Sequence, residues 1–246
     1  MYNCIMRAVT WRRRLIGDRK LLTKLRKSEL IAPDYIRELK VIDDDLVRTF
    51  PQYTWFNDHH DKIKLILSCY AEQNPSMGYA QGMCFIVFPL YHVYYNDCPE
   101  HAAVDTFFSL HTIMHFLRPL YPRSKIDVNI RSYLTTASSI IRIKLLSDHI
   151  GLATRLRNSE YIQLLLIKSG PSLFANWFDL SDTVTLWDYI FHGDLFENLM
   201  HVICAMLVVN KEIYMGFSYE KILEIIQVKD FYRVSSLVSC ARTFQR

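Results

Sequence analysis

Apolar residues in this chain return at intervals of three and four, segment after segment, and that periodicity restricts the fold more than any other feature. Ile63, Leu67 and Tyr70 stand at i, i+4 and i+7 within 58–73, a spacing that places three side chains on one helical stripe. The same pattern predicts helices over 7–15 (Val9 and Trp11 among the apolar positions), 18–26, 33–39, 102–117, 126–146, 158–167, 196–209 and 219–227. Val184, Leu186, Trp187 and Ile190 belong to a further helix that Ser181-Asp182 can cap, as Asn57 or Asp58 can cap the one at 58–73. Regular period-two alternation and Asn-Gly hairpin signals are missing, so no strand is required and the expectation is an all-α fold.

Composition fixes the broad class. Half of the 246 residues are apolar and 22% are charged, a balance that can bury a core and excludes a disordered chain. There is no Gly/Ser linker or low-complexity run, so residues 1–246 read as a single domain. The most apolar window, CFIVFPLYHVYY at Cys84–Tyr95, is broken by Pro89 and His92 and is too short to span a bilayer. It reads as a buried helix. Cys4, Cys69, Cys84, Cys98, Cys204 and Cys240 show no CxxC pairing and read as reduced thiols of a cytoplasmic protein. Met1–Ile16 lacks the sustained apolar core of a signal peptide. Basic residues concentrate between Arg7 and Arg26, where Arg12-Arg13-Arg14 and Arg19-Lys20 read as a solvated helix face. Trp11 is the one aromatic in that run, so aromatics are not interleaved to stack successive bases and a nucleic-acid partner is not expected.

Two short stretches carry the candidate chemistry. In IDDDLVRTFPQ, Ile42, Asp45 and Arg48 are spaced i, i+3, i+6, so Ile42 can anchor in a core while Arg48 sits at the edge of that stripe. Asp45 lies within ion-pair reach of Arg48 and could aim its guanidinium. Asp43-Asp44-Asp45 suits a helix first turn, and Pro51 restricts Phe50 and ends the helix, leaving Arg48 in the last turn. In NPSMGYAQGM, the turn chemistry of Asn74–Gly78 delivers Tyr79-Ala80-Gln81 to the entrance of the apolar window. Taken singly, Arg48 reads better as a surface ion pair worth about 0–1 kcal/mol, and Gln81 better as a satisfied helix-start residue. His111 and His115 have metal-ligand spacing, but no HExxH or third ligand accompanies them, so no metal site is expected. There is no GxxxxGK[ST] loop and no GxSxG. Trp187-Asp188 reads as a buried indole beside an exposed carboxylate.

Together these stretches resemble the TBC domain, a GTPase-activating module for Rab-type small GTPases, whose motifs RxxxW, IxxDxxR and YxQ occur in that order. Here they read RAVTW at Arg7–Trp11, IDDDLVR at Ile42–Arg48 and YAQ at Tyr79–Gln81, with LWDYIF at Leu186–Phe191 as a late family-like stretch. The resemblance runs from about residue 1 to about 230. It implies many short helices in two lobes, a motif-bearing N-terminal lobe of about 1–120 and a C-terminal lobe of about 121–246. It implies that Arg48 is an arginine finger and Gln81 a glutamine finger, with Asp45 orienting the finger and Tyr79 shaping the contact surface. Arg7, Trp11 and Ile42 are then structural, Trp11 packed and Arg7 salt-bridged. The implied partner is a Rab-type GTPase in its GTP-bound form. That partner carries GTP and Mg²⁺, and this chain is an enzyme activator with no cofactor or nucleotide site of its own. A catalytically silent scaffold that binds a small GTPase is the alternative. Membrane contact is expected to be peripheral, on endomembranes, or through the partner.

One family stretch, often written WFLTLF, has no simple counterpart in YIQLLLIKSGPSLFANWF at Tyr161–Phe178. The Ser169-Gly170-Pro171 break predicts an altered helix junction there.

Overall fold

A computed structural model describes residues 2–121, 128–157, 160–226 and 232–245. Among them there are α-helices and short 3₁₀ turns and no strands. The helices are α1 (Tyr2–Leu15), α2 (Arg19–Leu25), α3 (Leu39–Arg48), α4 (Thr54–Asn57), α5 (His60–Gln73), α6 (Cys84–Tyr95) and α7 (Ala102–Leu117). They continue as α8 (Val128–Leu146), α9 (Ile150–Arg155), α10 (Glu160–Ser169), α11 (Leu180–Ile190), α12 (Leu195–Val209), α13 (Lys211–Gly216), α14 (Tyr219–Ile226) and α15 (Val234–Thr243). The expected starts at Ile126 and Asn158 and the expected end at Gln227 lie outside the described residues.

The apolar window became α6, and nine of its twelve side chains are buried. It packs against α7 and α5, while α3 lies on α5 and α1 crosses α6 and α7. A second set gathers around α12, which packs on α8 and α15, with α9 and α10 against α8. α11 touches both sets, meeting α6 on one side and α12 and α15 on the other.

Several local expectations are corrected. Residues 33–39 are not helical before Leu39, because only Ile36 is buried there and Tyr35 is 79% exposed. With no apolar stripe to bury, a short helix has nothing to hold it. α3 therefore starts at Leu39, and Asp43-Asp44-Asp45 falls past its first turn, where Asp43 pairs with Lys64 (2.6 Å) and Asp45 turns inward. Asn57 and Asp58 are used up by α4, so His59 precedes α5 without a side-chain cap. The cap of α11 is Asp179, whose carboxylate accepts from the Asp182 N–H (2.7 Å), which puts Ser181-Asp182 inside the first turn. Val9 faces outward, half exposed. Arg12 leaves the solvated run altogether: it is 4% exposed, with its guanidinium between Asp97 and Asp105 and over the Tyr94 ring.

The Ser169-Gly170-Pro171 break is a real junction. α10 ends at Ser169, a 3₁₀ turn covers Gly170–Ser172, and Leu173 and Phe174 both take positive φ (48° and 66°) while fully buried. Burial holds two side chains in a backbone region they ordinarily avoid.

Candidate functional site

The site is assembled on the buried Asp45 carboxylate. α3 presents Asp45 on the same side as Ile42, which is fully buried, and Leu46. Across from it comes the loop before α6. Met77 and Gly78 close a turn onto the Asn74 carbonyl, and Gly78 and Gly82 take φ of +59° and +97°, conformations suited to glycine. That path brings two donors onto an acidic group that also accepts from Arg48 of its own helix. Asp45 Oδ2 accepts from the Tyr79 hydroxyl (2.5 Å) and the Gly82 N–H (2.7 Å), and Oδ1 accepts from Arg48 Nη2 (3.3 Å).

Each partner is set by its surroundings. The Tyr79 ring is buried and its hydroxyl also meets Cys84 Sγ (3.2 Å). Burial, then the neighbouring Cys84 and Asp45, push the phenol well above the usual tyrosine range, so it remains a neutral donor to the carboxylate. Burial likewise pushes the Cys84 thiol up to about 12. Arg48 is the opposite case, a side chain 61% exposed at the end of α3. Its Nε donates to the Asp44 carbonyl (2.9 Å), so at rest the guanidinium lies along its own helix. Phe50, two residues on, has φ +51° and is locked among the rings of Tyr53, Phe56 and Phe85 at 5.6–6.0 Å.

Gln81 is exposed on the same loop, one residue before the Gly82 N–H that Asp45 binds. It opens onto a groove of about 580 Å³ lined by Arg37, Glu38, Met77, Tyr79, Ala80, Gln81, Leu120, Tyr121 and Pro171. Arg48 is not among the lining residues, and Asp45 stands between the two. Sequence reasoning missed Arg37, Glu38, Tyr121 and Pro171. Tyr121 bonds the Pro171 carbonyl across fifty positions of chain, which no local pattern records.

The first motif lies elsewhere. Arg7 clamps Asp188 with Nε (2.8 Å) and Nη2 (2.7 Å), and the Trp11 indole N–H donates to the same carboxylate (3.0 Å). The Trp11 ring is buried against Trp187 and Phe191. Asp188 keeps its side chain 41% exposed, as expected beside the buried Trp187, and is also the tie between α1 and α11, which makes the late LWDYIF stretch the partner of the first motif.

Among the described residues no group of three or more His, Cys, Asp or Glu side chains is placed to hold a metal, and no helix is long and apolar enough to cross a membrane. The His111 ring packs between Tyr70 and Phe107, and burial holds its pKa below the ordinary value.

Comparison with known proteins gives a consistent picture. The family model for the Rab-GTPase-TBC domain matches residues 6–215. TBC1 domain family member 13 of Mus musculus is 28% identical over 193 residues, covering 76% of this chain and 48% of the relative, and the Homo sapiens protein of that name gives the same figures. TBC1 domain family member 5 of Homo sapiens is 22% identical over 236 residues, covering 77% of this chain and 30% of the relative. The chain spans about half the length, or less, of these curated relatives. Among solved structures, the crystal structure of the Ypt/Rab-GAP domain of Gyp1p matches with a TM-score of 0.75 at 17% identity, covering 98% of this chain and 88% of that one. At that identity the likeness carries the fold.

Proposed function

We propose a GTPase-activating role, on the premise that this chain belongs to the Rab-GTPase-TBC domain family. In this reading it accelerates GTP hydrolysis by a Rab-type GTPase in its GTP-bound form and supplies Arg48 and Gln81 in trans. The observation that carries it is the shared carboxylate: Asp45 holds Arg48 on one oxygen and, on the other, the loop that presents Gln81. Two motifs more than thirty residues apart in sequence are thereby held side by side, with the exposed Arg48 resting on a weak contact it can leave.

The chemistry asks for such a pair. Hydrolysis loads negative charge onto the transferring phosphoryl group, and the attacking water must be held in line. A guanidinium from outside supplies fixed charge and a planar fork of donors to those oxygens. The Gln81 amide offers an acceptor and two donors, enough to orient the water while touching the γ-phosphate. GTP and Mg²⁺ stay on the partner. Arg48 must leave its resting contacts, and as an exposed pair these are worth about 0–1 kcal/mol. An arginine finger is worth about 10³–10⁵ in rate, or about 4–7 kcal/mol of barrier, which far exceeds the cost of leaving those contacts.

The test is single-turnover phosphate release from a panel of GTP-loaded Rab-type proteins, with wild type beside Arg48→Ala and Gln81→Ala. Acceleration on one member, abolished by Arg48→Ala, is the expected outcome. Undiminished acceleration by Arg48→Ala refutes the finger assignment, and GTP-dependent binding without acceleration makes the chain a silent scaffold.

A further inference from the structure

We infer that the outer face of α1 and α2 is a docking surface for an anionic lipid bilayer. At about 100° per residue, Ile5, Val9 and Arg13 form one ridge of α1, and Met6, Thr10 and Arg14 form the next. All six are exposed, while Ala8, Trp11, Arg12 and Leu15 on the opposite side are buried. The apolar end of this face is substantial: Ile5 is 46% exposed, Met6 52% and Val9 50%. The basic end continues past Gly17 into α2, a helix that buries none of its side chains and exposes Leu21.

The charge is one-sided. Residues 5–28 carry nine cations and a single acid, Asp18, whose carboxylate is engaged in capping α2. Arg7, Arg12 and Arg26 are taken up by Asp188, Asp97 and Asp105. The other six, Arg13, Arg14, Arg19, Lys20, Lys24 and Lys27, are exposed. Asp188, which borders this face beside Met6 and Thr10, is neutralised by Arg7. Half-exposed aliphatic side chains that run into a patch of long basic ones match an interface with acyl chains below and anionic headgroups above. An acidic protein would use the cations and leave Ile5, Met6 and Val9 unused.

The location suits a partner held near a membrane. α1 meets the far end of α6, where Arg12 reaches Asp97 and lies over Tyr94, whereas Gln81 precedes the near end. Twelve helical residues separate the two ends by about 18 Å. A bilayer seated on α1 and α2 thus meets the end of α6 opposite the one that Gln81 precedes.

The experiment is flotation of the whole chain with phosphatidylcholine vesicles, with and without phosphatidylserine, across a salt series. Binding is expected only with phosphatidylserine and is expected to fall as salt rises. Arg13→Glu with Arg14→Glu should weaken it by more than about 25-fold, from about fivefold per cation lost. Val9→Asp should weaken it roughly tenfold. Lys62→Glu with Lys211→Glu, exposed residues elsewhere that carry the same change in charge, should bind as wild type. Unchanged helical circular dichroism and melting verify that each variant is folded. Equal binding to neutral vesicles, no binding at low salt, or insensitivity to the Arg13/Arg14 pair overturns the inference. So does charge-dependent binding that Val9→Asp leaves untouched, which assigns the patch to an acidic protein surface.

Discussion

Asp45→Asn is the perturbation that most directly examines how the site is held. The change keeps shape and removes charge, and the outcome follows from three contacts. The amide oxygen can take the Oδ2 position and still accept from the Tyr79 hydroxyl and the Gly82 N–H. Its NH₂ then faces the Arg48 guanidinium, donor against donor. Hydrogen bonds to a charged group are worth about 1.5–3 kcal/mol and neutral ones about 0.5–1.5. Two such bonds weakened by about 1 kcal/mol each predict a loss of about 2 kcal/mol in stability. The Arg48 contact adds about 0–1 kcal/mol at most, because that side chain is mostly in water. For a domain of this size the melting temperature should drop by about 4–8 °C. Activity should fall further than stability explains, by about tenfold or more at a temperature where the variant is fully folded, because Arg48 loses its aim. Thermal unfolding and single-turnover phosphate release on the same preparation give both numbers. A variant that melts lower but activates at the wild-type rate would show that Asp45 clasps the loop and does not aim Arg48.

Other outcomes are equally specific. Arg48→Ala should abolish activation yet alter stability by no more than about 0.5 kcal/mol in urea unfolding, since the residue is 61% exposed; Arg48→Lys should also fail, because an ammonium cannot reproduce the planar fork. A GTPase lacking its own catalytic Gln should still respond to the wild-type chain and lose that response with Gln81→Ala, as read by phosphate release. Arg12→Ala should cost about 3–5 kcal/mol in urea unfolding, because it strands the buried Asp105 carboxylate with only the Arg26 ion pair. Raising the pH should destabilise the fold from about pH 9. Cys84 and Cys204 are pushed up to about 12 by burial, so the native chain holds protons that the unfolded chain releases. That contribution is complete below the unfolded thiol value and disappears as pH climbs toward 12; a urea midpoint that does not fall between pH 8 and pH 10 contradicts it.

What the sequence made legible was whatever burial writes as a local pattern. The continuous apolar run of Cys84–Tyr95 and the stripe of 102–117 became α6 and α7 at the expected bounds, because a helix with most of its surface in the core must be apolar almost all round. Residues 33–39 misled because a short segment that buries only Ile36 has no face to hold a helix. Arg12 misled because its partners, Asp97 and Asp105, are more than eighty residues away, and a triplet of arginines reads the same whether one of them faces inward or none does. In the site, the motif spacing pointed to Asp45 beside Arg48. The Gly82 N–H and the groove walls at Tyr121 and Pro171 are set by tertiary contact, and nothing local could reveal them.

The bond from Arg7 to Asp188 also sets a timetable. The two residues lie 181 positions apart. At about 5–20 residues per second, the ribosome releases Arg7 roughly 9–36 s before Asp188 exists. Throughout that interval Trp11 has neither the carboxylate that its indole binds nor the Trp187 and Phe191 rings that cover it. α1 can settle on α6 and α7 through Arg12 once Asp97 and Asp105 are made, but its Trp11 face stays uncovered until the segment around Asp188 has followed.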